Sequence, residues 1–106
     1  MWSLPKVTIT VLKTLRHEDV FGRRLPEVSE DMPSVCRLHN EGEVYTVEVD
    51  GQKPVGFCTW AWHDIVPEVT TLRFGGSFPW MRREGTIIAS CSDGAKPVIF
   101  KLERVS

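Results

Sequence analysis

The chain has 106 residues, 42% of them apolar and 25% charged, with a net charge of −1. That describes one globular domain: too short for a second core and too apolar for intrinsic disorder. A membrane-spanning helix needs about 18 or more consecutive apolar residues. Lys6, Lys13 and Arg16 interrupt the only early apolar stretch, so neither a span nor a secretory leader is expected.

Three cysteines leave one thiol unpaired and are too few for a disulfide scaffold, so a reducing, cytoplasmic setting is expected. Charge is segregated along the chain. Residues 1–16 carry +3, residues 17–69 carry four basic and eleven acidic groups, and residues 70–106 carry six basic and three acidic. Arg82 and Arg83 beside Trp80 are the best candidates for a nucleic-acid patch. With no sustained basic run, nucleic acid is not an expected partner.

In chain order, Lys6–Lys13 alternates, with Val7, Ile9 and Val11 on one side and Lys6, Thr8 and Thr10 on the other, which predicts a half-buried strand. Residues 14–34 contain Gly22, Pro26, Pro33 and many charges, predicting an irregular excursion with one short helix near His17–Phe21. Glu43–Val49 predicts a second strand, entered through Asn40-Glu41-Gly42 and left through Asp50-Gly51.

Cys58 to Phe74 predicts a helix, because Cys58, Ala61, Trp62, Ile65, Val69 and Leu72 recur on one face. Pro67 cannot donate to the carbonyl of His63. A kinked or two-piece helix is therefore expected, with Asp64 as an internal N-cap and Gly75-Gly76 as the stop. Phe78-Pro79-Trp80 reads as an aromatic loop. Thr86–Cys91 and Pro97–Val105 flank Ser92–Lys96 as a hairpin, with Val98, Phe100 and Leu102 on one face. The expected fold is α+β over residues 1–106: a small, mostly antiparallel sheet of N-terminal strands plus a C-terminal hairpin, packed by one kinked helix.

Chemistry points first to the thiols. Cys58 opens the predicted helix on its apolar face, and helix N-termini favour thiolates. Cys91 ends a strand on the Ile87 and Ala89 face. Packing the hairpin on the helix would bring both sulfurs to one end of the domain. Cys36-Arg37-Leu38-His39 adds a Cys-x-x-His spacing able to chelate a metal. Cys36, Cys58 and Cys91 with His39, or with Asp93 in its place, would make a four-coordinate set, and soft thiolates favour zinc or iron. No Cys-x-x-Cys knuckle ties them together, and free cysteines commonly pack as small hydrophobes.

Other candidates have plainer readings beside them. His63 is either a general base beside Asp64 or an imidazole on the helix surface. His17, next to Glu18 and Asp19, reads as a solvated or capping group. Asp93-Gly94 fits a tight hairpin turn as well as a catalytic acid. Trp60 and Trp62 diverge by about 200° on a helix, so Trp62 belongs to the core and Trp60 to the surface. With Phe74, Phe78 and Trp80, Trp60 could line a pocket or a subunit interface, or simply cover the core. No Ser/His/Asp order, metalloprotease motif or phosphate loop is present.

Three segments together resemble a small uncharacterised prokaryotic family: Phe57-Cys58-Thr59-Trp60-Ala61-Trp62-His63-Asp64-Ile65; Leu72-Arg73-Phe74-Gly75-Gly76 with Phe78-Pro79-Trp80; and Cys91-Ser92-Asp93-Gly94 with Lys96-Pro97-Val98-Ile99-Phe100. Its members carry C-x-W-A-W and C-[ST]-D-G-x-[RK]-P-V-x-F segments. The likeness extends to the Val7–Lys13 strand and to Cys36 through Glu41-Gly42, and leaves out the 14–34 excursion. It implies that Cys36, Cys58, Trp62, Cys91, Asp93 and Gly94 are signature positions. It implies no particular reaction.

Three functions are open at this point. The first is a binding or accessory module holding a metal such as zinc through Cys36, Cys58, Cys91 and His39 or Asp93. The second is a thiol enzyme or redox protein with Cys58 as nucleophile and Asp93 or His63 assisting. The third is a homo-oligomeric interaction protein whose cysteines only pack.

Overall fold

In a computed structural model of the chain, which describes residues 4–105, alternation turns Lys6–Thr14 into strand β1. Its Val7, Ile9 and Val11 are buried, and the side chains between them are not. Helix α1 (His17–Phe21), strand β2 (Val44–Val47), helix α2 (Thr59–Arg73) and strands β3 (Thr86–Ser90) and β4 (Val98–Val105) follow. The sheet order is β2-β1-β4-β3, with every neighbouring pair antiparallel. The first and last strands thus meet in the middle of the sheet. This is the α+β layout expected, with the hairpin and the long helix in the anticipated roles.

The core forms where α2 covers one face of the sheet. Ile9, Val11, Phe100 and Leu102 from the strands meet Ile65, Val69 and Leu72 from the helix, all essentially excluded from solvent. Each such side chain contributes about 1.5–3 kcal/mol on burial. The opposite face carries Thr8, Thr10, Lys101 and Glu103, as a one-sided antiparallel sheet should.

Of the two alternatives for helix α2, kinked or in two pieces, the two-piece one drops out, because the helix runs through Pro67 as one element of 15 residues. Pro67 and His63 are both exposed, so the carbonyl that lacks its donor lies on the solvent side and costs little. Asp64 caps no inner helix. Its Oδ2 accepts the Ser92 N–H at 2.7 Å, while Trp60 Nε1–H donates to Ser92 Oγ at 2.8 Å. These two bonds fasten the β3–β4 turn to the first turns of α2. The helix stops as anticipated: Gly75, at φ 87°, lets its N–H reach Leu72 O and that of Gly76 reach Thr71 O. At the exit of β2, Gly51 (φ 75°) leaves room for the Arg73 guanidinium, which donates to Val49 O at 2.9 Å.

The 14–34 excursion is ordered by polar groups pairing with one another. Arg24 donates to Glu18, to Ser29 O and to Met32 O. His17 is not the solvated group its neighbours suggested: it is 0% exposed. Its Nδ1–H donates to Ala95 O at 2.7 Å and its Nε2 accepts the Leu25 N–H at 3.0 Å. Among the described residues, no helix is long and apolar enough to cross a membrane.

Candidate functional site

A cavity of about 540 Å³ opens between the start of α2, the 36–39 loop and the β3–β4 turn, and Cys36, Cys58 and Cys91 all line it. Topology puts them there. Pairing β1 with both β2 and β4 sets the loop before β2 next to the turn before β4, and α2 begins beside both. Cys58 is the N-cap residue of α2, in extended conformation, and makes no side-chain cap hydrogen bond. Cys36 Sγ accepts the Leu38 N–H at 3.4 Å, and Cys91 Sγ accepts the Val98 N–H at 3.3 Å. All three thiols are free and partly buried.

His39 also lines the cavity and is only 2% exposed. Its Nε2 accepts the Cys58 N–H at 3.3 Å. Its Nδ1 lies 3.4 Å from Glu43 Oε1 and 3.2 Å from Tyr45 Oη, and the tyrosine hydroxyl donates to the same carboxylate oxygen at 3.1 Å. An accepting Nε2 makes Nδ1 the protonated nitrogen. Phe57 and Phe100 pack against the ring, with centroids 4.9 and 5.3–5.8 Å apart within this cluster. The Glu43 carboxyl is held below the usual carboxylate range, chiefly by the Asn40 N–H on its oxygen. Partial burial opposes this, and the Tyr45 and His39 bonds add to it.

Glu43 and Tyr45 escaped the sequence reading. The available signal was the alternation of Glu43–Val49, which sets both on one strand face with Val47. His63, offered as an assisting base, is exposed on α2 and takes no part in the cavity wall.

The four expected metal ligands do not make a ligand set. Among the described residues, no group of three or more His, Cys, Asp or Glu is arranged to hold a metal ion. Both His39 ring nitrogens are engaged, and the sulfurs of Cys36 and Cys91 accept N–H groups from their own loops. Asp93, the alternative fourth ligand and candidate catalytic acid, gives Oδ1 to the Ala95 and Lys96 N–H groups and Oδ2 to Lys96 Nζ at 2.8 Å. Its carboxylate builds the turn.

Burial would raise the Asp93 pKa, but the Lys96 ammonium and the two backbone N–H groups outweigh it, and the net shift is downward. A carboxyl lowered in the folded state stabilises the fold above its unfolded value, roughly 3.9, and loses that contribution as pH falls through the folded value. Acidification from pH 6 to pH 3 should therefore lower the melting temperature less in Asp93→Asn than in the parent, as thermal melts at each pH would read.

Fold and site together define an α+β domain with a thiol-lined cavity at the start of its long helix. Neither family models, curated proteins nor solved structures give a match to the chain.

Proposed function

We propose that the protein is a small binding or accessory module that takes a small, largely apolar molecule bearing an anionic group into the thiol-lined cavity. The cavity carries this reading. Its volume of about 540 Å³ falls within the roughly 300–1,000 Å³ common for small-molecule sites. Leu38, Ala61, Val98 and Phe100 supply apolar wall. Lys96 is engaged by Asp93, whereas Arg37 has no ion-pair partner among the described residues. A guanidinium so placed suits a carboxylate or similar anion.

On this reading the chain works in a reducing cytoplasmic compartment that keeps its thiols free, and needs neither nucleic acid nor membrane. Self-association through exposed Phe74 and Trp80 is the rival reading, and it gives the cavity no role.

Titration with benzoate, followed by two-dimensional amide NMR, tests the proposal. Saturable shifts are expected at Leu38, Ala61, Ser92 and Asp93, with Val20 and Val55 unmoved. Arg37→Gln should weaken binding by about tenfold, the loss of one charge-assisted hydrogen bond. Shifts confined to other surfaces, or none at millimolar benzoate, would reject the reading.

A further inference from the structure

Trp60 stands on the cavity wall, yet 66% of its surface is exposed. Exposed side chains ordinarily change rotamer freely. This one is tied, because its Nε1–H donates to Ser92 Oγ at 2.8 Å. Ser92 is itself tied, through its N–H, to Asp64 Oδ2 one turn further along α2. The indole is thus fixed by its N–H edge to a second residue of the same wall, and most of its surface is left in solvent.

Ring packing sets it further apart. Trp62 meets Phe57 edge-on with centroids 6.3 Å apart, and Trp80 meets Phe78 at 5.4 Å. Trp60 has no ring partner among the described residues. An ordered indole without a partner is a vacant stacking platform. Its rotamer freedom is already lost before a ligand arrives, so binding need not supply that ordering.

The rest of the wall does not choose between kinds of ring. Leu38, Ala61, Val98 and Phe100 offer apolar surface, and burial alone favours a saturated ring, which has more apolar surface to remove from water. A fixed indole reverses that order. Two π systems attract in offset-stacked or edge-to-face geometry beyond what burial provides.

We infer that the cavity selects a planar aromatic carboxylate over its saturated counterpart, with Trp60 packing on the ring and Arg37 pairing with the carboxylate. This selectivity rests on the binding role proposed above and adds the class of anion. Trp60 is the specificity-determining residue. Asp64 touches no ligand and acts through Ser92, by holding the indole in place.

Benzoate and cyclohexanecarboxylate, both ionised at neutral pH and similar in size, are titrated in parallel against the full chain by two-dimensional amide NMR. Benzoate should bind about three- to tenfold more tightly, and its ring protons should give nuclear Overhauser effects to the Trp60 indole. Trp60→Leu keeps an apolar side chain and should bring the affinity ratio to one or below. Trp60→Phe loses the bond to Ser92 but keeps a ring, and should retain part of the preference. Equal affinities in the unsubstituted protein, or tighter binding of the saturated acid, overturn the inference and leave the binding role standing. A Trp60→Leu variant that weakens both acids by the same factor also overturns it, since the indole would then only prop the turn. Binding of neither acid at millimolar concentration removes the binding role and the selectivity together. The unsubstituted protein decides the matter even where a variant fails to fold.

Discussion

Replacing Phe100 with alanine should cost about 3–5 kcal/mol, the range for deleting a large aromatic ring from a packed core. Phe100 is 0% exposed and lies mid-sheet, opposite Val11 on β1 and Ala89 on β3. Its ring is 5.3 Å from that of Phe57 and 5.8 Å from that of His39, so no single element can close over the vacated space. A domain's whole stability is commonly about 5–15 kcal/mol, so this one change removes a large share of it. Urea denaturation should show a lower midpoint with an unchanged slope. Ile88→Ala, on the exposed face of the edge strand, should stay within about 0.5 kcal/mol. Comparable losses for the two variants would mean that the core is not seated where α2 meets β4.

The strands were legible because their information is local. Val7, Ile9 and Val11 alternate with Thr8 and Thr10, and Val98, Phe100 and Leu102 recur at every second position, and a half-buried strand needs little more. The helix was legible in its span and its stop, since Gly75-Gly76 closes it by a backbone conformation the residues themselves favour. Its passage through Pro67 was left open between a kink and a break. A missing donor is costly or harmless according to whether the orphan carbonyl is buried, and burial belongs to the folded molecule. His17 misled for a related reason. Charged neighbours suggested solvent, but its partner is the carbonyl of Ala95, 78 residues further along the chain.

The site was legible as a list of residues and not as chemistry. Cys36, Cys58 and Cys91 reach one cavity because the strand order brings three separate segments together, which no pattern within a segment encodes. The Cys36-x-x-His39 spacing suggested a chelate. Spacing says nothing about where ring nitrogens point, and both nitrogens of His39 turn inward, to the Cys58 amide and to the Glu43–Tyr45 pair. The result is a rigid wall rather than an open ligand. Trp60 shows the same coupling from outside. Although 66% exposed, its indole N–H holds Ser92, and Asp64 holds the same residue from one turn further along the helix. The turn carrying Cys91 and the helix end carrying Cys58 are thereby fixed to each other before any ligand arrives, the preorganisation a binding or reacting site requires.

The same logic makes His17 the most consequential polar residue outside the cavity. His17→Ala should destabilise the protein by about 3–5 kcal/mol, because it leaves two backbone groups without partners, each worth about 1–3 kcal/mol, and opens a cavity under them. One of those groups, Ala95 O, belongs to the β3–β4 turn; the other, the Leu25 N–H, belongs to the excursion. The side chain therefore ties residues 17–25 to the turn that walls the cavity. His17→Gln, with a donor and an acceptor on one amide, should recover part of the loss. Hydrogen exchange supplies a finer reading: in His17→Ala the Leu25 amide should lose protection, while Ile9 and Leu102 in the central strands fall only as far as global stability does. Leu25 protection unchanged, or a loss below about 1 kcal/mol, would show that the imidazole sits there without holding the two segments together.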